Sequence, residues 1–149
     1  MILPIIAYGD PILKREAEEI DKDYPFLAEF IENMWETMYN AEGVGLAAPQ
    51  VGKSIRIFMV DCTPFEEDEP QLKGFKKLFI NPIIIEETGK EWSFNEGCLS
   101  IPAIREDVSR QPKVTIEYYD ENWELKEETY EGFAARVIQH EYDHIEGVL

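Results

Sequence analysis

The chain has 149 residues, 44% hydrophobic and 30% charged, long enough to bury about two-thirds of its unfolded surface in a single domain spanning 1–149. Its 31 acidic and 14 basic residues give a formal net charge of −17, a surface that repels phosphate backbones and anionic lipids, so sequence-specific nucleic-acid binding is excluded as its main task. No run approaches the roughly 18 apolar residues of a membrane span, and no membrane partner is expected.

The N-terminal MILPIIAYGDPIL has only a short apolar run, with no basic leader and no small-residue cleavage site, so no secretory signal is expected. From Tyr24 to Asn40, Leu27, Phe30, Ile31, Met34, Trp35 and Met38 recur at helical spacing and predict an amphipathic helix. Its expected start is Asp23-Tyr24-Pro25, with Pro25 in the first turn, and its expected stop is Gly43. The stretch GVGLAAPQ, Gly43 to Gln50, reads by its residues as a helix cap followed by a turn. Its glycines permit close approach to a ligand, Ala47 and Ala48 permit tight packing, and Gln50 offers an amide for hydrogen bonding.

Four runs rich in β-branched and aromatic residues predict strands: Ser54–Asp61, Leu78–Ile85, Val114–Tyr119 and Trp123–Tyr130. Pro82 marks an edge or a bulge in the second, and Asp120-Glu121-Asn122 a hairpin turn between the last two. The acidic segment Thr63–Lys77 reads as an exposed loop. A final helix is expected from Glu131 or Gly132. One helix, then strands, then one helix predicts an α+β fold with mostly antiparallel sheets.

That final helix carries QHEYDH. His140 and His144 lie about 40° apart on one helix face, so both imidazoles can converge on one ion. Glu141 is about 60° from His144, within reach of a water at that ion without ligating it. These are the only 2 histidines in the chain. A catalytic metal wants a third protein ligand, and the soft ligand available upstream is Cys98, in WSFNEGCLSIP, where Gly97 and the Ser-Ile-Pro segment suggest a constrained loop. Three ligands with an open fourth position describe a catalytic rather than a closed structural site, and Glu141 is then the general acid/base. The other cysteine, Cys62, ends an apolar run and reads as a buried small hydrophobe. Two cysteines make no disulfide framework, so a reducing, cytoplasmic compartment is expected.

GVGLAAPQ, EGCLS and QHEYDH, in this order, resemble the three signature motifs of the bacterial peptide deformylases, and the opening YGDPIL is similar to that family's N-terminus. The resemblance covers essentially the whole chain. It implies an enzyme that hydrolyses a linear amide, removing the formyl group from formyl-methionyl nascent polypeptides. It also implies Cys98, His140 and His144 as ligands of one divalent ion, natively Fe²⁺, with Zn²⁺, Ni²⁺ or Co²⁺ substituting. Gln50 and the Leu99 backbone N–H would stabilise the oxyanion. The substrate would lie extended along Val44 and Gly45, with Val44, Phe94, Phe133, Val137 and His140 walling a pocket for its first side chain. Arg105 matches a family position near the substrate backbone. Family members commonly continue beyond the Gly147 region, and in some the tail contributes to a transient ribosome contact, whereas this sequence stops at Leu149. Two other readings of HExxH stay open: a metallopeptidase cutting internal peptide bonds, and a metal-stabilised binding module without activity.

Overall fold

The computed structural model describes residues 2–6, 10–67, 72–88, 92–98, 101–110 and 113–148, with side chains throughout except in 92–98 and 101–110. Helix α1 spans Leu27–Asn40, and strands β1 to β3 span Gly45–Ala47, Ile57–Asp61 and Lys76–Thr88. Strands β4 (Trp92–Cys98), β5 (Ile101–Arg110), β6 (Lys113–Tyr119) and β7 (Leu125–Glu131) lead into helix α2, Gly132–Ile145. A five-stranded sheet has the order β1-β2-β3-β6-β7, and β4 and β5 form a separate two-stranded sheet. All of these strand pairs are antiparallel. The expected α+β architecture is present.

The alternation of side chains along the central strands decides where the helices go. Ile57, Met59, Leu78 and Ile80 join Leu27, Phe30, Met34 and Met38 of α1 in one buried cluster. Their neighbours Phe58, Val60 and Phe79 join Ala134, Val137, Ile138 and Ile145 of α2 in another. The period of two sends successive residues to opposite faces. Strand β2 is therefore buried at every position, covered by one helix on each face. On β1, Leu46 belongs to the α1 side and Ala47 to the α2 side.

Several expected boundaries shift for local reasons. Helix α1 starts at Leu27 because Phe26 takes a left-handed conformation (φ 57°), which leaves Pro25 outside the helix rather than in its first turn. At the other end Glu42 (φ 56°), not Gly43, takes the left-handed position. Glu42 N–H donates to Tyr39 O at 3.1 Å and Gly43 N–H to Met38 O at 3.0 Å, the paired bonds of a Schellman stop. The stretch after it is not only a turn: Gly45–Ala47 pairs with β2 as an edge strand. The segment Thr63–Lys77, expected as an exposed loop, opens with a 3₁₀ turn over Thr63–Phe65, buries Leu72, and gives its last residues to β3.

The bulge expected at Pro82 is present, with the β3–β6 register shifting between Ile80 and Ile83. Asn81 turns left-handed there (φ 51°) and its side-chain amide both accepts from Ile20 N–H (3.0 Å) and donates to Ile20 O (2.6 Å). The Asp120 hairpin also forms, its carboxylate accepting from Asn122 N–H and Glu124 N–H at 2.9 and 3.0 Å. Cys98, expected on a loop, instead ends β4, paired with Ile101 just after a register shift at Gly97.

Candidate metal centre

Helix α2 begins at Gly132, whose positive φ of 67° turns the chain out of β7. From there one face of the helix presents Phe133, Val137, His140, Glu141 and His144, spaced at three, four and seven residues. This face meets β1, where Gly45 and Ala47 are small enough for the helix to come close. A Cβ built on Gly45 would stand 2.5 Å from Glu141 Oε2 and 2.9 Å from its Cδ. Glu141 is 5% exposed and His144 4%, while His140 is half-buried.

The two imidazole Nε2 atoms lie 3.3 Å apart, with ring planes at 74°. Two nitrogens each ~2.0–2.1 Å from a tetrahedral ion are themselves ~3.3–3.4 Å apart, so the pair has the spacing of two ligands to one metal. The donor set therefore fits a divalent ion. Among the described side chains no three metal-ligating groups gather, and the side chain of the third expected ligand, Cys98, lies outside the described residues. The same holds for Leu99 and for the side chains of Phe94 and Arg105, whose backbones lie opposite Val108 and Gly97 in the β4–β5 pair.

Gln50 is 1% exposed, in the 3₁₀ turn Ala48–Val51 that follows β1. Its Oε1 accepts from Ala47 N–H at 3.0 Å. A backbone N–H can be met only by the amide oxygen, so this bond fixes which end of the side chain carries the NH₂ group. Val44 and Phe133 both pack against the core cluster that contains Val137. Of the expected site residues, Phe133 and Val137 thus stand on the helix face that carries the histidines, Gly45 lies against Glu141 of that face, and Val44 packs against the same core cluster.

Two groups that sequence reasoning passed over hold this arrangement. Arg56, 6% exposed, donates from Nη2 to Pro82 O at 3.2 Å and forms an ion pair with Glu146 at 3.4 Å, with Tyr142 beneath its guanidinium. It ties the last turn of α2 to the β3 bulge. The signal was a lone arginine inside the apolar run IRIFMV, where a charge must find partners. Asp61 accepts from Tyr39 OH at 2.6 Å and from Thr63 N–H at 3.0 Å, while its own N–H donates to Val44 O at 2.9 Å. Burial pushes the Asp61 carboxyl up, but the bonds from Thr63 and Tyr39 and the Lys76 charge outweigh it and hold it below the ordinary carboxylate value.

The family model for polypeptide deformylase matches residues 2–149. The peptide deformylase of Christiangramia forsetii is 68% identical over all of this chain and 80% of its own length, so the chain spans about four-fifths of that relative. The crystal structure of the Thermotoga maritima peptide deformylase superposes with a TM-score of 0.89 at 40% identity, covering 100% of this chain and 95% of that one. A class I type b peptide deformylase from Acinetobacter baumannii with Met-Ala-Ser bound is similar at TM-score 0.89 and 33% identity, over 100% and 96% of the two chains. With the HExxH helix seated on a glycine-bearing edge strand and the match running the length of the sequence, the chain belongs to the polypeptide deformylase family.

Proposed function

We propose that this chain is a metal-dependent hydrolase that removes the formyl group from N-formyl-methionyl polypeptides and releases formate. The observation that carries the reading is the pair of imidazoles 3.3 Å apart on a helix whose intervening Glu141 abuts Gly45, in a chain of the deformylase family. His140, His144 and Cys98 are the ligands in this reading. A divalent ion, natively Fe²⁺ with Zn²⁺, Ni²⁺ or Co²⁺ as substitutes, supplies Lewis acidity that acidifies water and polarises the formyl oxygen.

The chain's own groups do the rest. Glu141 takes a proton from the attacking water and hands it to the departing amine. The Gln50 NH₂, oriented by the Ala47 bond, and the Leu99 N–H donate to the oxygen as it gains charge, each contributing ~10²–10³ in rate. Strand β1 is the edge of its sheet, so the peptide can add beside Val44 and Gly45 as a further strand, with Arg105 near its backbone. Val44, Phe94, Phe133, Val137 and His140 wall the apolar recess for the first side chain. A formyl carbon bears only hydrogen, so a tight site around it rejects acetyl and larger groups. Transient contact with the ribosome, where formylated chains emerge, belongs to the same reading.

Formate release from formyl-Met-Ala-Ser, measured anaerobically alongside metal content, is the test, with an unblocked oligopeptide as control. Glu141→Gln should retain the ion and the fold yet lose ~10²–10⁴ in kcat. Cys98→Ala should empty the site of metal, and Cys62→Ala should not. Internal cleavage of the unblocked peptide, or undiminished turnover by Glu141→Gln, would overturn the reading.

A further inference from the structure

The acidic segment after β2 contains one aromatic residue that the core does not absorb. Phe65 is 37% exposed, yet its ring lies 4.8 Å from that of Phe133, tilted by 51°. Phe133 stands on the α2 face that carries the histidines. Val137 and Phe133 precede His140 by three and seven residues, roughly 4.5 and 10 Å along the axis. In the strand-addition pose proposed above, a substrate side chain directed to the α2 side, as Ala47 is, would pass Val137 first and reach Phe133 only if it is long.

The turn that carries Phe65 is fastened rather than loose. Phe65 N–H donates to Cys62 O at 3.0 Å, and Thr63 donates to Asp61 Oδ1 through both its N–H (3.0 Å) and its hydroxyl (2.6 Å). Asp61 N–H in turn donates to Val44 O at 2.9 Å. One carboxylate residue therefore sets the position of Val44, at the start of the substrate-pairing strand, and of the turn that carries Phe65.

We propose that Phe65 is a specificity-determining residue, its ring and that of Phe133 together forming the far wall of the recess for the first side chain of the formyl peptide. This rests on the deformylase reading above. The occupant is a long, unbranched thioether. Sulfur packs favourably against aromatic rings, and a methionine side chain covers the apolar surface that Phe65 leaves open, whereas alanine ends near Val137.

The experiment compares formyl-Met-Ala-Ser with formyl-Ala-Ala-Ser in metal-loaded wild type, Phe65→Ala, Phe65→Leu and Phe65→Tyr. In Phe65→Ala the methionine-over-alanine ratio of kcat/KM should fall about tenfold, mainly through KM. Phe65→Leu should fall between, and Phe65→Tyr should retain the preference. Calorimetric binding of the products Met-Ala-Ser and Ala-Ala-Ser should show the same tenfold loss of discrimination. An unchanged ratio in Phe65→Ala, or equal losses on both peptides, overturns the proposal. If wild type releases no formate, the deformylase reading fails, and the product-binding ratio still decides the part played by Phe65.

Discussion

At Gly45 the side chain is a single hydrogen because the Glu141 carboxylate occupies the place a Cβ would take, 2.5 Å from Oε2. Alanine there cannot be accommodated by a shift of solvent, since Glu141 is itself buried between helix and strand. The side chain that gives way is the one assigned the proton transfer. Gly45→Ala should therefore lower kcat by ~10²-fold or more through misplacement of the base, while both histidines stay in position and metal content is retained. Parallel formate and metal assays check this, and full activity in Gly45→Ala would mean that Glu141 acts from some other position. That the two histidines and Glu141 would share one helix face was legible in the sequence, because residues three and four apart on a helix are neighbours. The closeness of Gly45 to Glu141 was not, since it depends on how the helix lies across the sheet, nearly a hundred residues away along the chain. Arg56 was not legible for a related reason: its partners come from two segments distant in sequence, Pro82 in β3 and Tyr142 with Glu146 at the end of α2.

Among the elements, α1 was readable from its helical hydrophobic period, and β2, β3, β6 and β7 from their β-branched and aromatic residues, while α2 was placed by its HExxH. The elements that were missed owe their structure to pairing instead. Gly45–Ala47 has little intrinsic strand preference and is a strand because β2 holds it, register Gly45↔Val60 to Ala47↔Phe58. Segments 92–98 and 101–110 carry polar or charged residues in about half of their positions, and each is ordered against the other. The end of α2 shows the same dependence on a distant partner. Gly147 has φ 78°, and a Cβ there would meet the backbone carbonyl of Lys14 at 2.6 Å, close to where Ala17 N–H donates to Ile145 O at 2.7 Å. The contact is with backbone, which cannot swing aside as a side-chain tip can. Gly147→Ala combines this clash with left-handed strain and should destabilise the protein by about 2–3 kcal/mol, read from urea unfolding. Because the last turn bears His144, the same variant should also bind metal more weakly. A loss below about 0.5 kcal/mol would show that the N-terminal segment is not held tightly against the helix end.

At the scale of the whole molecule, a helix on each face of one sheet leaves ionisable groups inside that must stay neutral. Burial, with Asp61 adjacent, pushes the Cys62 thiol up to about 12 from its ordinary 9.0. Burial and the bond to Glu128 likewise raise the Tyr118 and Tyr130 phenols above their ordinary 10.0. A raised folded value stabilises fully below the unfolded value, and that stabilisation is lost as pH climbs towards the folded one, because the unfolded chain releases its proton first. Stability should accordingly hold to about pH 9, then fall by about 1.4 kcal/mol per pH unit for Cys62, and more steeply above pH 10 as unfolded phenols ionise. The negative net charge grows over the same range and adds repulsion in the same direction. Urea unfolding of metal-free protein at successive pH values between about 8 and 11 tests the assignment. Cys62→Ala should be less stable at pH 8, by about 1 kcal/mol for the small cavity, yet its decline should begin about one pH unit later than in wild type. The same onset in both proteins would move the alkaline loss from the buried thiol to the phenols clustered around Glu128.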